Sequence, residues 1–331
     1  MPNVFILAER RDEGLHPISF ELIGAGRQLV QDQGGRIDVA LLGHEVGSLA
    51  EELLATGVTN VHVVEDPLLA DYTTDAYVST MERLIGLSNP EIVLIGQTSI
   101  GRDLAPRLAF RVKGAVAMDC LDLALDTATA TLMVTRPIYG GSILATYRFG
   151  QETRPQIVTI RSKAFEPAEP LAESGGRITD HPVDLDSSEI RTKTLERRSL
   201  VKAGEARLED ADIIVSGGWG LGKKENYQVI EDLARAIGGV PGASRPICDL
   251  EWTNSSRHIG LTGKIVAPNL YLAVAISGAM HHVAGCANAK VIVGINIDPK
   301  APIFKYAKYG VVGDFAEMVP ALIRELEKSG A

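Results

Sequence analysis

The chain has 331 residues and a formal net charge of −9, with 45% hydrophobic residues, only 5% aromatics and 33 glycines. That length exceeds one ordinary core and points to two domains of about 100–200 residues each, while glycine amid abundant Val, Ile and Ala suits α/β layers. The 33 Lys and Arg are scattered, which excludes a nucleic-acid footprint, and three isolated cysteines (Cys120, Cys248, Cys286) exclude a disulfide framework or zinc site and fit a reducing compartment.

The N-terminal run Met1–Glu9 reads as a strand and lacks the basic and apolar regions of a leader. No stretch reaches the roughly 18 apolar residues that cross a bilayer, so a cytoplasmic protein without direct membrane insertion is expected. Strand-like and helix-like segments then alternate. Val4–Ala8 is a strand, Phe20–Gln31 a helix, Ile37–Leu42 a strand ended by Gly43, and Ser48–Thr56 a helix stopped by Gly57. Asn60–Val64, Thr73–Ile85 and Glu91–Ile95 continue the rhythm, and Leu104–Phe110 opens a further helix with Pro106 in its first turn. This order implies a mostly parallel sheet wrapped by helices. From about Ala115 the segments shorten: Asp119–Ala124, Thr131–Tyr139 and Ser142–Tyr147, with a Gly140-Gly141 hairpin turn, and then Ile157–Ile160. An antiparallel extension at the sheet edge is expected. Prolines and charges dominate 164–199, which reads as a linker ending near Leu200, so the N-terminal domain is taken as 1–199 and the second as 200–331.

The second block alternates again. Asp212–Ser216 is a strand, Asn226–Ile237 a helix closed by Gly238-Gly239, and Pro246–Asp249 a short extended piece. Leu270–Ile276, Lys290–Asn296 and Gly310–Gly313 are strands, Ser277–Gly285 is a short helix, and Phe315–Lys328 is an amphipathic C-terminal helix. The fold expected is a doubly wound unit of about 130 residues.

Small, polar or cationic residues gather at successive strand ends of this unit. Gly217-Gly218-Trp219-Gly220 follows the first strand, where backbone amides can approach a phosphate; the spacing is not a strict GxGxxG, and taken alone a plain tight turn is the better account of it. Gly242-Ala243-Ser244-Arg245 combines close backbone approach, a hydroxyl and a guanidinium, though a surface arginine in a turn is the bland alternative. Gly260-Leu261-Thr262-Gly263 can present a hydroxyl and amides to a flat ring, and Lys264 is read as a solvated charge. Ser277-Gly278-Ala279-Met280 opens a helix whose amides and dipole suit a pyrophosphate. His281 and His282 are adjacent and therefore about 100° apart on a helix, which argues against joint metal ligation. Asn296 and Asp314 sit at further strand ends, and Asp314 also suits the cap of the last helix. Together these make a dinucleotide crevice.

The run Gly242-Ala243-Ser244-Arg245, Gly260 to Tyr271, Ile276-Ser277-Gly278-Ala279 to His282, Asn296 with Asp298-Pro299, Ala301 to Phe304, and Gly313-Asp314 resembles the alpha subunit of electron transfer flavoproteins. The likeness covers the whole chain, more loosely before Leu200. It implies FAD in the C-terminal domain, a heterodimer with a beta subunit docked on the N-terminal domain, and electron passage to or from acyl-CoA dehydrogenase-type flavoenzymes. It also implies a carrier rather than a stand-alone catalyst. Ser244 and Arg245 would contact FAD, with Arg245 near the isoalloxazine. Ile259, Gly260, Leu261 and Thr262 would line the ring, with the Thr262 hydroxyl near N5. Ser277, Gly278, Ala279 and Met280 would hold the pyrophosphate region, and His282 the pyrimidine end. Asn296, Asp314 and Phe315 would bind the adenosine side. The family usually carries Arg where this chain has Trp219, and Gln where it has Leu261; Trp219 removes a cation near the cofactor and offers a stacking surface.

Three other readings compete. A nicotinamide dehydrogenase needs an acidic ribose reader about 20 residues past the glycine turn, and residues 237–242 (Ile-Gly-Gly-Val-Pro-Gly) offer none. An electron-bifurcating, NADH-oxidising form would place its extra sites largely on the partner. A non-redox nucleotide-binding scaffold is the last.

Overall fold

The computed structural model describes residues 2–11, 14–31, 34–126, 129, 131–139, 143–171, 175–183, 185–196 and 206–329. Two units result, Met1–Arg197 and Arg198–Ala331, each built around its own sheet. The Gly140-Gly141 turn and the linker end near Leu200 lie outside the described residues.

The first unit runs β1 (Asn3–Ala8), the two-residue β2 (Arg10–Arg11) and β3 (Gly14–Leu15), α1 (Ile18–Val30), β4 (Arg36–Gly43), α2 (Gly47–Ala55) and β5 (Asn60–Glu65). It continues with α3 (Thr74–Ser88), β6 (Ile92–Gly96), α4 (Ser99–Arg111), β7 (Ala115–Cys120), β8 (Asp122–Asp126), β9 (Thr131–Ile138), β10 (Ile143–Arg148), β11 (Gln156–Ile160) and β12 (Arg177–Asp180). Seven strands form a parallel sheet in the order β12-β5-β4-β1-β6-β11-β7. Its central strands are nearly continuous apolar runs because both faces are covered, with Asn3 and Asp38 as buried polar exceptions. Val4, Ile6, Val39 and Leu41 face the layer of α1 and α2, and Phe5, Leu7, Ala40 and Leu42 face the layer of α3 and α4.

Several local expectations are corrected here. The segment read as one strand from Asp119 to Ala124 breaks at Leu121, with Asp119 at φ 63°. β7 joins the main sheet in parallel beside β11 as its edge strand, and the antiparallel extension expected there is β8, β9 and β10, which form a sheet of their own. The stretch read as a linker from 164 packs largely on the first unit. Ala168 and Leu171 donate backbone hydrogen bonds to Phe20 and Ala55, and β12 extends the sheet beside β5. Edge strands held by backbone hydrogen bonds carry little hydrophobic pattern, which is why β12 escapes a periodicity reading.

The second unit runs β13 (Ile213–Gly217), α5 (Gln228–Ala236), β14 (Val240–Ala243), α6 (Arg245–Asp249), β15 (Leu270–Val274), α7 (Met280–Cys286), β16 (Val291–Asn296), β17 (Tyr309–Val312) and α8 (Phe315–Ser329). All five strands are parallel, in the order β14-β13-β15-β16-β17. The Pro246–Asp249 piece is helical rather than extended, because Pro246 fits the first turn that α6 needs. β14 contains Pro241, which an edge strand tolerates, and so it read as a loop. α7 starts three residues later than the Ser277 expected. One core lies under Tyr271, Ala273, Val283 and Cys286; the other joins Val215, Leu272 and Val274 to α5 and α8. The chain direction reverses around β13, which has β14 on one side and β15 on the other, so the carboxyl ends of β13 and β15 mark a topological switch point.

Candidate functional site

At that switch point a cleft of about 720 Å3 opens, lined by residues from four connections. Trp219 and Gly220 come from the turn after β13, and Ser244, Arg245 and Pro246 from the start of α6. His258, Ile259, Leu261 and Thr262 come from the loop before β15, and Ala275, Ile276, Ser277, Ala279, His281 and His282 from its end and α7. Asn296, Asp298, Ala301 and Pro302 close the far side after β16.

Backbone hydrogen bonds hold these loops in place. Gly218 N–H donates to Val274 O at 3.0 Å and Gly220 N–H to Ala275 O at 3.1 Å, so the first turn lies directly against the third. A Cβ on Gly218 would stand 2.4 Å from that same Ala275 oxygen, which is why the turn needs glycine. Ser244 N–H donates to Gly217 O, and Ile259 N–H to Ala243 O, each at 2.9 Å. Leu261 N–H donates to His281 O at 2.7 Å, pinning the Gly260–Gly263 loop to α7. Gly278 has φ 85°, and a Cβ there would sit 2.2 Å from Ile303 N. Lys264 is paired with Glu209 rather than solvated alone.

His282, a wall residue, belongs to a buried polar pair. The Tyr271 hydroxyl lies 2.8 Å from His282 Nε2, and both residues are buried. Burial pushes His282 down to about 4, against the opposing pull of the Ile259 carbonyl, so the ring is neutral at pH 7. Burial also raises Tyr271 well above its ordinary value, so the phenol keeps its proton and can donate it to Nε2. Nδ1 of His282 and Oγ of Ser216 are buried without a hydrogen-bond partner of good geometry. His258 is pushed below its ordinary value, by burial first and then by Arg245. Arg245 itself is exposed and reaches Asp249 at 3.2 Å, an exposed i,i+4 bridge that costs little to break.

Of the residues expected from sequence, Trp219, Ser244, Arg245, Ile259, Leu261, Thr262, Ser277, Ala279, His282 and Asn296 line this one cleft. Gly260 and Gly278 are buried in its supporting loops, and Met280 is exposed outside the wall. Asp314 caps α8 through Ala316 N–H at 2.9 Å, and Phe315 packs on the core below, so neither lines the wall. The Asn296 amide bridges Ile276 O and Asp298 N–H, each at 2.9 Å, which fixes the rim. Trp219 is 61% exposed and stacks on Trp252, with ring centroids 6.1 Å apart and planes 13° apart. Sequence reasoning passed over His258, His281 and Asp298 as wall residues; their loops were noted, and their inward placement depends on turns that carry no pattern. Among the described residues, no cluster of three or more His, Cys, Asp or Glu side chains could hold a metal ion.

The electron transfer flavoprotein domain family matches residues 4–186, and the electron transfer flavoprotein FAD-binding domain matches residues 207–287. The chain is 41% identical to the electron transfer flavoprotein subunit alpha of Thermoanaerobacterium thermosaccharolyticum, over 98% of both chains. It is 40% identical to the protein of the same name from Bacillus subtilis, again over 98% of both. Identity to Protein FixB of Azotobacter vinelandii is 37%, over 99% of this chain and 94% of that one.

Proposed function

The chain belongs to the electron transfer flavoprotein alpha-subunit family, and on that premise we propose that its second unit holds one FAD in the cleft and carries electrons on it. The convergence of the 244–245, 258–262 and 275–279 segments on one switch-point cleft supports this reading most directly. The residues present fit such a group. The cleft volume lies in the range of cofactor pockets, and Ser244, Thr262, Ser277 and Asn296 bring polar side chains to a wall that also holds Gly220, Ala275 and Ala279. Bound FAD supplies one- and two-electron redox chemistry at its ring. The protein supplies orientation and charge: Arg245 an exposed guanidinium for a developing anion, Thr262 a hydroxyl donor, and Ser277 with Ala279 a close backbone approach. His282 serves as a neutral ring, not as a standing positive charge, because its burial keeps it deprotonated.

The first unit is read as the platform for a beta subunit, and acyl-CoA dehydrogenase-type flavoenzymes as the redox partners. Coexpression with a beta subunit should give a yellow heterodimer with a flavin spectrum. One FAD with AMP marks the simple carrier; two FAD with NADH oxidation mark the bifurcating form. A colourless heterodimer that takes up no FAD defeats the reading. Arg245→Ala should weaken FAD retention or lower the flavin potential, and a titration showing both unchanged removes Arg245 from that role.

A further inference from the structure

Tyr271 is the largest of the fully buried side chains, in a core otherwise built from groups such as Ile214, Ala273, Val283 and Ile292. A phenylalanine would fill the same space without burying a hydroxyl, and a buried hydroxyl is costly unless it is hydrogen-bonded. Its partner is His282 Nε2, 2.8 Å away. His282 and Ile259 line the cleft, and Tyr271 does not. The hydroxyl therefore acts on the wall from behind.

The direction of this hydrogen bond follows from what surrounds it. Burial keeps the His282 ring neutral, so it carries a single N–H. Nδ1 is buried without a hydrogen-bond partner of good geometry, and the backbone group that bears on the ring is the Ile259 carbonyl, which can only accept. The proton belongs on Nδ1, which makes Nε2 the acceptor and the Tyr271 hydroxyl the donor. The opposite tautomer would turn a nitrogen lone pair toward a carbonyl oxygen in a site that water does not reach. Two neighbours agree with this direction. Ser216 shares the face of Tyr271, since Ile214 two residues earlier pairs with Tyr271, and it brings a buried hydroxyl against the phenol oxygen. Cys286 Sγ donates to His282 O at 3.8 Å and is too weak an acceptor to draw the phenol's proton from Nε2.

We propose that Tyr271 is a positioning residue: its hydroxyl fixes His282 in the Nδ1–H tautomer, and that ring holds the 259–262 wall of the cleft against α7. Backbone bonds alone tie this wall down at Ile259, to Ala243 O at 2.9 Å, and at Leu261, to His281 O at 2.7 Å. A side chain locked from behind makes such a wall more precise than backbone ties do. The consequence for FAD rests on the reading above; the tautomer does not.

The test uses the full-length chain coexpressed with a beta subunit and carrying isotopically labelled histidine. Two-bond nitrogen–proton spectra at pH 7 separate the tautomers, and His282→Gln assigns the signal. Wild-type His282 should show Nδ1–H. Tyr271→Phe should shift it toward Nε2–H and speed exchange of the Leu261 amide about fivefold, with exchange over 270–274 unchanged. A packing role alone would do the reverse, loosening β15 and leaving the tautomer in place. Fluorotyrosine at 271, a stronger donor of the same shape, should keep Nδ1–H and move the Nε2 resonance. Nε2–H in the wild type overturns the proposal, as does Tyr271→Phe with tautomer and Leu261 exchange unchanged. If Tyr271→Phe does not fold, the wild-type tautomer and the fluorotyrosine chain decide, and an unmoved Nε2 resonance counts against the hydrogen bond. FAD retention should fall about fivefold in Tyr271→Phe. A shifted tautomer with unchanged retention overturns the link from this wall to FAD. A wild-type complex that takes up no FAD defeats the FAD reading, and the tautomer, measured without flavin, still decides the role of Tyr271.

Discussion

Glu9 follows β1 into the interior of the first unit, 5% exposed, with Oε1 accepting from Thr98 Oγ at 2.9 Å. Burial raises its carboxyl from 4.5 to about 7, and the Thr98 hydrogen bond only partly opposes this. The folded pKa therefore lies above the unfolded one. Its contribution to stability is complete below about 4.5 and is lost as pH rises through about 7. Glu9→Gln should match the parent in thermal denaturation at pH 4 and exceed it at pH 8 by up to about 3 kcal/mol. Equal midpoints at both values would show that the carboxylate is solvated. Ala275, at the end of β15 beneath the cleft, holds φ 55°, a conformation that costs a non-glycine residue about 1–2 kcal/mol. Ala275→Gly relieves it at an entropic cost of about 0.5–1 kcal/mol, so a net gain of about 0.5–1 kcal/mol in denaturant unfolding is expected. At this scale the sequence reveals His282 only through the family likeness, and it hides Tyr271. The two lie on a helix and a strand eleven residues apart, and only the packing of α7 over β15 brings them together.

β12 shows how an element can be real yet unmarked. It is anchored to β5 by the parallel ladder and by His181 Nε2, 2.8 Å from His62 Nδ1, with the rings stacked. Asn60 is 3.1 Å from His62 Nε2, Thr179 donates to Asn60, and Asp38 stands 4.0 Å from His62 with Arg36 beside it. Burial, then His62 and Arg83, push His181 below 6.5, and Asp180 opposes. A depressed histidine stabilises the fold above its unfolded pKa and loses that effect as pH falls through its folded pKa. Amide exchange over 177–181, corrected for intrinsic rates, should therefore be faster at pH 5.5 than at 7.5, and His181→Gln should flatten the difference. The long helices and the buried central strands were legible because a two-sided core demands near-continuous apolar runs. β12, β14 and the short α6 were not, since tertiary contact rather than composition decides them. The strand-end residues of the cleft were legible for the opposite reason: a parallel sheet places its loops at one end, whatever their detailed course.

For the whole molecule, the two units each own a complete core. Among the described residues, no helix is long and apolar enough to cross a membrane. A fragment spanning 206–331 should unfold cooperatively by itself. One starting at Asp212 should be weaker by about 2–5 kcal/mol, because it lacks buried Leu208 and Ala211 and the Glu209 partner of Lys264. Urea melts of both fragments check this, and equal midpoints would make residues 206–211 dispensable. The Trp219–Trp252 stack has an optical consequence at this scale. The chain has two tryptophans; Trp219 lines the cleft and Trp252 stacks on it. Near-parallel indoles at this separation couple their transitions, giving a near-ultraviolet dichroism couplet. A chromophore entering the cleft would quench their emission by energy transfer. Indole emission from this protein is thus a reporter on a single site, blind to events in the first unit.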